Sequence, residues 1–377
     1  MRRVLIFSRD PGGTNTVIPL VAPLRERGCT VYVFGKDTAL EKFRLAGIGA
    51  VDICSYLPDL TSLSLRQLLI DELPDIVVTG TSADDVTEKQ LWSVAAELRI
   101  PSMAILDQWA NYGIRFSEYG VSEIERYTAS KQHTYLPDRI VAMDDYAKRE
   151  MIAEGLPGER IIVCGQPYFE TLFASRQNSD EMARLNEVYA LSDKDFVVVF
   201  ASEPMTQTYG TSAVRHWGYN ELTIFEGLVS TLENLARESA RRVTLIIRPH
   251  PKENRDNFLD LVKGCDALQW RIDTDFHPWT LISRADLVCG MSSIFLVEAV
   301  ILGTPAMSIQ VGLARENPFI LDRRGVLKSI TSELELRESL RRIIIDGEQQ
   351  CIEFEVILNP VARIISEMEK IVCKNLP

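Results

Sequence analysis

The sequence predicts an α/β protein with two doubly wound parallel sheets, one in each half of the chain. First, short apolar runs alternate with amphipathic runs along most of its 377 residues. Such alternation is typical of parallel sheets, because a helix usually crosses over between two parallel strands. Second, this rhythm stops once, after Pro167, and then resumes. Third, at about 150 residues per domain the length is sufficient for two domains, each with its own core.

The first half begins with a strand–helix–strand unit. An apolar run predicts a buried strand over residues 4–8, followed by an amphipathic helix over 16–27 and a second strand over 30–34. The same pattern then repeats through the rest of this half. Further strands are predicted over 75–79, 102–106, 139–143 and 161–164, with helices over 86–98 and 145–154.

The second half follows a polar segment. Residues 169–194 contain no strand-like run, so we interpret them as a partly helical crossover between domains. Strands are predicted over 196–201, 243–247, 268–272, 287–290 and 306–310, with helices over 222–238, 254–262, 294–302, 332–345 and 361–372. This organisation gives an N-terminal domain at 1–168, a C-terminal domain at 195–355 and a last helical segment at 356–377. For that last segment, packing back on the N-terminal domain is one option.

Composition indicates a soluble globular chain. Apolar residues make up 46% and charged residues 25%, and 41 basic against 53 acidic residues give a net charge of −12. This balance argues against a nucleic-acid partner, because neutralising phosphates requires clustered Lys and Arg. Seven cysteines without a CxxC pair argue against disulfides and structural zinc and favour the reducing cytoplasm. No uncharged apolar run reaches about 18 residues, so we expect no transmembrane segment.

The loop after the first strand is the first candidate ligand-binding element. It contains Asp10, Gly12, Gly13 and Asn15 directly before a helix. Two glycines permit positive φ angles and close approach of a ligand to the backbone, while a helix N-terminus attracts anions. The loop matches neither GxGxxG nor a Walker A sequence, which argues against NAD and ATP. Asp10 is a candidate general base, and the alternative is a tight turn without a ligand.

Arg248 and His250 form the second candidate, in an Arg-Pro-His-Pro sequence that follows a strand. Each proline removes an N–H donor and stiffens the backbone, so the two basic side chains are held in fixed directions. A guanidinium and an imidazole that converge suit a phosphate. The alternative is a structural histidine that caps the end of the strand.

Ser292 and Ser293 form the third candidate, at the start of an apolar helix. Two hydroxyls and the free amides of a helix start can hold an anion, and ordinary N-capping is the alternative. Glu298 lies further along this helix, where a carboxylate needs a partner because burying it alone is costly. A sugar diol is one such partner, and a salt bridge is the alternative.

Other loops that follow predicted strands carry polar and aromatic side chains. Hydroxyls in the second half are placed to reach phosphates, while acids, an amide and an indole in the first half suit a sugar or another polyol acceptor. These residues are Ser202, Thr206, Asp84, Asp107, Gln108 and Trp109. For Asp84 the alternative is a helix cap.

These motifs resemble those of the GT-B superfamily. The segment 248–251 is similar to the His-Pro motif of bacterial sialyltransferases and CDP-glycerol glycerophosphotransferases, and the paired serines resemble their paired-Ser motif. The run 298–305 looks like the ribose-binding helix of GT-B enzymes, and the Gly12-Gly13 loop resembles the glycine-rich loop that opens many of their first domains. UDP-GlcNAc 2-epimerases are also GT-B-like, with a serine-containing helix start and a downstream Glu.

The resemblance implies two Rossmann-like domains that face a cleft, with an acceptor site in the first and a nucleotide-sugar site in the second. In the sialyltransferases and CDP-glycerol enzymes both motifs hold the donor phosphates, which here implies contacts with Arg248, His250, Ser292 and Ser293. The ribose hydroxyls would then contact Glu298.

The resemblance therefore predicts a metal-independent glycosyltransferase that uses a CMP-, CDP- or UDP-linked sugar, without a further cofactor, in surface-glycan or glycoconjugate biosynthesis. The acceptor is a glycan, a lipid-linked molecule or a small molecule. His250 would stabilise the leaving phosphate. The sequence lacks the acid-acid-Gly triplet that contains the base of the sialyltransferases, which leaves Asp10, Asp84 or Asp107 as the general base.

Two alternatives stay open. An epimerase or hydrolase of the UDP-GlcNAc 2-epimerase type needs no acceptor, although the first strand lacks the Arg-Pro-Glu stretch typical of that family. A non-catalytic nucleotide-sugar-binding protein would use the same scaffold. The sequence is compatible with a homodimer and with a cytoplasmic location, including a peripheral position at the inner membrane.

Overall fold

The computed structural model describes residues 1–175, 179–210, 216–350 and 352–374. The chain divides into two compact units. The N-terminal unit comprises Met1–Thr171 together with Val356–Pro377, and the C-terminal unit comprises Leu172–Glu355. Each unit contains a parallel sheet with helices, which confirms the predicted fold class.

The N-terminal unit is built on a seven-stranded parallel sheet. Its strands are β1 (Arg3–Ser8), β2 (Thr30–Gly35), β3 (Val51–Asp52), β4 (Ile76–Thr79), β5 (Ser102–Ile105), β6 (Arg139–Ala142) and β7 (Ile161–Val163). They lie in the order β3-β2-β1-β4-β5-β6-β7. The order reverses between β1 and β4, and such a reversal opens a crevice at the carboxyl ends of the strands, where ligands of doubly wound folds bind.

Helices connect these strands. They are α1 (Pro11–Glu26), α2 (Thr38–Leu45), α3 (Ile53–Tyr56), α4 (Ser62–Glu72), α5 (Thr87–Glu97), α6 (Ile124–Ser130) and α7 (Asp145–Ala153), with short 3₁₀ helices at Gly113–Phe116, Val121–Glu123 and Gly158–Arg160. Helix α8 (Pro167–Ser175) follows β7 and contains the boundary between the two units. Helix α1 begins five residues before its predicted start at residue 16. Asp10 has an extended backbone at the N-cap, and the fixed φ angle of Pro11 suits the first helical position.

The C-terminal unit contains a five-stranded parallel sheet. Its strands are β8 (Phe196–Ala201), β9 (Val243–Arg248), β10 (Gln269–Ile272), β11 (Leu287–Gly290) and β12 (Ala306–Ser308). They lie in the order β10-β9-β8-β11-β12, with the reversal between β8 and β11. Its helices are α9 (Ser179–Val188), α10 (Met205–Tyr209), α11 (Glu221–Glu238), α12 (Asp256–Val262), α13 (Pro278–Arg284), α14 (Ile294–Leu302), α15 (Ile320–Arg323) and α16 (Glu333–Ile344).

Helix α17 (Pro360–Lys374) returns to the N-terminal unit. Its residues Ile364, Ile365 and Met368 are fully buried and belong to the same apolar cluster as Val17 and Leu20 of α1. Because burying one such side chain is worth about 1.5–3 kcal/mol, α17 is an integral part of this core. Among the helices that the structure describes, none is long and apolar enough to cross a membrane.

Candidate functional site

The candidate residues of the C-terminal unit follow the carboxyl ends of three neighbouring strands. Ala201 of β8 pairs with Arg248 of β9 and with Gly290 of β11, so these strands end level with one another. The loops that begin there contain Ser202, His250 and the paired serines. The topology therefore brings the three predicted motifs of this half to one edge of one sheet.

Ser292 and Ser293 lie at the N-terminus of α14, and the acidic group at this helix start is a side chain of the protein itself. The carboxylate of Glu203, in the loop after β8, accepts a hydrogen bond of 2.6 Å from the Ser292 backbone N–H and one of 2.9 Å from the Ser292 hydroxyl. Ser293 is the N-cap and accepts a hydrogen bond from the N–H of Phe295 at 3.2 Å. Burial raises the pKa of Glu203 in spite of the amides around it.

Arg248 is held by a buried ion pair. Its guanidinium contacts the carboxylate of Asp273 and donates to the carbonyl oxygen of Phe276 at 2.6 Å. Asp273 is fully buried and also accepts a hydrogen bond of 2.6 Å from the hydroxyl of Tyr189. The Arg248 charge is thus balanced within the unit, and the side chain anchors the strand end rather than presenting an unpaired cation.

His250 keeps one ring nitrogen available. Its Nδ1 accepts a hydrogen bond of 3.2 Å from the N–H of Lys252, so the neutral ring carries its proton on Nε2. Burial and the Lys252 charge lower the pKa of His250, which favours this neutral form. Within the described part of the chain, Nε2 makes no hydrogen bond. The His250 backbone N–H donates to Glu253 at 2.6 Å, and this contact holds the loop.

The other predicted polar residues of this unit have partners of their own. The Ser202 hydroxyl donates to Glu253 at 2.8 Å, and the Thr206 backbone N–H and hydroxyl both donate to Glu221 at 3.0 Å. Thr206 lines a pocket of about 220 Å³ beside α11 and α12. Glu298 is buried and accepts a hydrogen bond of 3.1 Å from the indole N–H of Trp279.

Gly12 and Gly13 serve close packing in the N-terminal unit. Both lie in the first turn of α1, so the predicted open glycine loop is corrected to a helix start. A Cβ atom on Gly12 would lie 1.9 Å from Oδ2 of Asp107, and one on Gly13 would lie 3.1 Å from the Cα atom of Gly80. Only residues without side chains let α1 approach the loops after β4 and β5 this closely.

Asp107 is the best-fixed carboxylate of this unit. Its Oδ1 forms a 2.8 Å ion pair with Arg115, which is buried and also donates to the Thr81 hydroxyl at 2.8 Å. Gln166 donates to the Asp107 backbone carbonyl at 2.9 Å. The carboxylate thus has one defined orientation, facing Gly12.

The remaining candidates of the N-terminal unit make separate contacts. Asp10 pairs with Arg9 at 2.9 Å, and Asp84 accepts a hydrogen bond of 2.8 Å from the N–H of Val121. The Asn15 amide oxygen accepts from Lys42 at 2.9 Å. Trp109 is buried, donates to Asp144 at 2.9 Å and stacks on Phe169, which is a packing role. Gln108, next to Asp107, has no hydrogen bond within the described residues.

Glu88, in the first turn of α5, is a buried carboxyl that the sequence analysis missed. Its side chain is fully buried, and neither oxygen has a partner with full hydrogen-bond geometry within the described residues, although the Ser82 backbone N–H lies near enough to favour the ionised form. Burial, followed by the charges of Asp10 and Asp85, raises its pKa to about 8. The available signal was helical spacing, since Glu88 lies three and seven residues before the buried Leu91 and Ala95.

Lys89, the next residue, is also buried. Its ammonium group donates to the carbonyl oxygens of Ala83, Ile114 and Tyr119 at 3.3–3.4 Å. Burial lowers its pKa to about 8. Among the residues that the structure describes, no group of three or more His, Cys, Asp or Glu side chains is arranged to hold a metal ion.

The two doubly wound parallel sheets give this chain a GT-B-like α/β fold. No protein-family model matches the chain, and a search of curated proteins finds no match. Solved structures share the fold over nearly the whole length. The UDP-GlcNAc 2-epimerase from Neisseria meningitidis bound to UDP-GlcNAc is 17% identical with a TM-score of 0.69, and the match covers 98% of this chain and 100% of that one.

Two further solved structures show the same likeness. The UDP-GlcNAc 2-epimerase from Methanocaldococcus jannaschii is 13% identical with a TM-score of 0.68, covering 98% of this chain and 99% of that one. A glycosyltransferase from Rickettsia africae is 12% identical with a TM-score of 0.58, covering 99% of this chain and 94% of that one. At these identities, the comparisons establish the fold alone, which the chain shares with the two epimerases and the glycosyltransferase.

Proposed function

We propose that this protein is an enzyme that acts on a nucleotide-linked sugar, with epimerisation of a UDP-linked N-acetylhexosamine as the first candidate reaction. The observation that carries the proposal is the end-to-end structural likeness to UDP-GlcNAc 2-epimerases, one of them solved with UDP-GlcNAc. This favours the epimerase alternative over the glycosyltransferase that the motifs predicted.

The chemistry of the described residues supports this proposal. In the C-terminal unit, the Nε2–H of His250 and the amides at the start of α14 are donors suited to phosphate oxygens. Inverting a carbon that bears hydrogen requires a proton to leave and return, which is work for positioned carboxylates. In the N-terminal unit, Asp107 is such a carboxylate, because Arg115 holds it in one orientation.

Incubation with UDP-GlcNAc alone distinguishes the two enzyme classes. We expect proton NMR to show a product with inverted configuration at C2, formed without any acceptor. A glycosyltransferase, which the paired-Ser and His-Pro motifs favour, would give only slow hydrolysis with C2 unchanged. Binding of UDP without turnover of any nucleotide sugar would contradict both enzyme classes.

His250→Ala tests the phosphate role. We expect turnover to fall by about 10²-fold or more, the usual effect of removing one donor to a developing negative charge. The matched control is His216→Ala, which removes an imidazole from the segment before α11. A His250→Ala enzyme with wild-type turnover and an unchanged melting temperature would exclude His250 from the reaction.

A further inference from the structure

We propose that Glu203 is an internal substitute for the phosphate of the nucleotide, and that a bound nucleotide must displace it from the N-terminus of α14. In this role Glu203 sets the affinity of the protein for phosphate-bearing ligands. The inference rests on the proposed function, in which this helix start receives a nucleotide phosphate.

The donors that surround the Glu203 carboxylate form a site suited to an anion. This carboxylate is hydrogen-bonded to both the backbone N–H and the hydroxyl of Ser292. Burial raises the pKa of Glu203, while the amides of Met291 and Ser293 also favour its ionised form, so successive N–H groups converge on one carboxylate. Such a nest at a helix N-terminus is the arrangement that proteins use to bind phosphate.

The Glu203 carboxylate and a phosphate cannot both occupy the N-terminus of α14. A phosphate offers more acceptor oxygens and more negative charge than a carboxylate, and two anions on the same amides repel one another. Burial raises the pKa of Glu253, and the nearby carboxylate of Glu203 adds to this shift, so the departure of Glu203 relieves a like-charge contact. A nucleotide phosphate can therefore accept hydrogen bonds from these amides only after it has displaced Glu203 from them.

The exchange has a consequence for specificity. A nucleoside without phosphate has nothing with which to replace Glu203, so Glu203 does not compete with it. A nucleoside diphosphate competes directly. The contribution of Glu203 is therefore selective: it weakens the binding of phosphate-bearing ligands and leaves nucleoside binding unchanged.

Calorimetric titration of the full-length protein with UDP and with uridine tests this role. We expect Glu203→Ala to bind UDP about tenfold or more tightly than wild type, since hydrogen bonds to a charged group are worth about that much, while uridine affinity stays unchanged. Glu203→Gln keeps a side chain on Ser292 but removes the charge, so its UDP affinity should fall between the two. Glu238→Gln, at the C-terminal end of α11, is the control for net charge, because it removes one negative charge at a different place in the same unit.

Each outcome decides the inference. The inference is overturned if Glu203→Ala binds UDP with the same affinity as wild type or more weakly. It is also overturned if Glu203→Ala gains as much affinity for uridine as for UDP, or if Glu238→Gln gains the same affinity for UDP. UDP binding by Glu203→Ala but not by wild type supports it. If no variant binds UDP or another nucleotide, both the inference and the proposed function fail, whereas loss of the Glu203 effect alone leaves the proposed function standing.

Inorganic phosphate provides a second readout that needs no nucleotide. We expect phosphate to raise the melting temperature of Glu203→Ala more than that of wild type, because the vacated amides can bind it. Should Glu203→Ala be poorly folded, Glu203→Gln carries the same comparison. Equal stabilisation of wild type and variant by phosphate would overturn the inference.

Discussion

Glu88, which is fully buried, and Glu203, which is partly exposed, show how differently two carboxyls can be accommodated. Glu203 is surrounded by amides, whereas Glu88 has no partner with full hydrogen-bond geometry within the described residues and is held neutral by burial. A buried polar group without a partner costs stability, and for a carboxyl that cost grows once it must ionise. Glu88 is therefore a group whose protonation is linked to folding.

Glu88→Gln should change how stability depends on pH. The folded-state pKa of Glu88, about 8, lies above its ordinary value of 4.5, so between these values the folded protein holds a proton that the unfolded chain releases. The contribution of Glu88 to the free energy of unfolding must then fall as the pH rises from 4.5 towards 8. We expect Glu88→Gln to flatten this slope and to be more stable than wild type at the upper end.

Urea denaturation at both ends of that range measures the effect. Glu97→Gln is the matched control, because Glu97 is an exposed carboxylate on the same helix. If Glu88→Gln and Glu97→Gln keep the wild-type slope, the Glu88 carboxyl is not linked to folding in this way.

At the residue scale, the sequence predicted locations better than partners. The Arg-Pro-His-Pro segment and the paired serines do lie at the same edge of one sheet, after β9 and β11 on either side of β8, because parallel strands end at a common edge. No pattern in the sequence predicts that Asp273 pairs with Arg248, or that Glu203 binds the N-terminus of α14. Both partners come from loops that only the folded sheet brings close.

At the scale of elements, hydrophobic periodicity predicted most of the long strands and helices. It missed β3 and α3, which have two and four residues and are too short to show a period. It also missed two longer helices of the N-terminal unit, α2 and α4. It also placed the start of α1 late, since Gly12 and Gly13 suggested a loop. Tertiary packing decides that boundary, because α1 must approach Gly80 and Asp107.

Helix α17 offers a test at the same scale. Ile364 is fully buried against the sheet and α1, so Ile364→Ala should lower the free energy of unfolding by about 2–5 kcal/mol. Glu369→Gln, on the exposed side of the same helix, should change it by less than about 1 kcal/mol. Chemical denaturation compares the two; equal effects would mean that the α17 packing does not stabilise the unit.

At the scale of the whole molecule, the two units differ in how the chain builds them. The C-terminal unit is one continuous segment, Leu172–Glu355, with an apolar cluster of its own. The N-terminal unit takes two segments that are separated by the whole C-terminal unit. Continuity in sequence should therefore decide which unit folds by itself.

Expressing the segments separately tests this difference. We expect residues 172–355 to unfold cooperatively on heating, because their core is complete. Residues 1–171 should not, because they lack the buried face of α17. Thermal melts followed by circular dichroism compare the two fragments. A cooperative melt of 1–171 alone would show that α17 is dispensable for the unit.

Because α17 packs on α1, the N-terminal unit can complete its core only after the whole C-terminal unit has been translated. The C-terminal unit has emerged before α17 has been translated, so it can fold while the N-terminal sheet still waits for its covering helix. Until then, the apolar surface around Val17 and Leu20 stays open to holdase chaperones or to other nascent chains. For this architecture, the vulnerable interval in biogenesis is the time taken to translate the C-terminal unit.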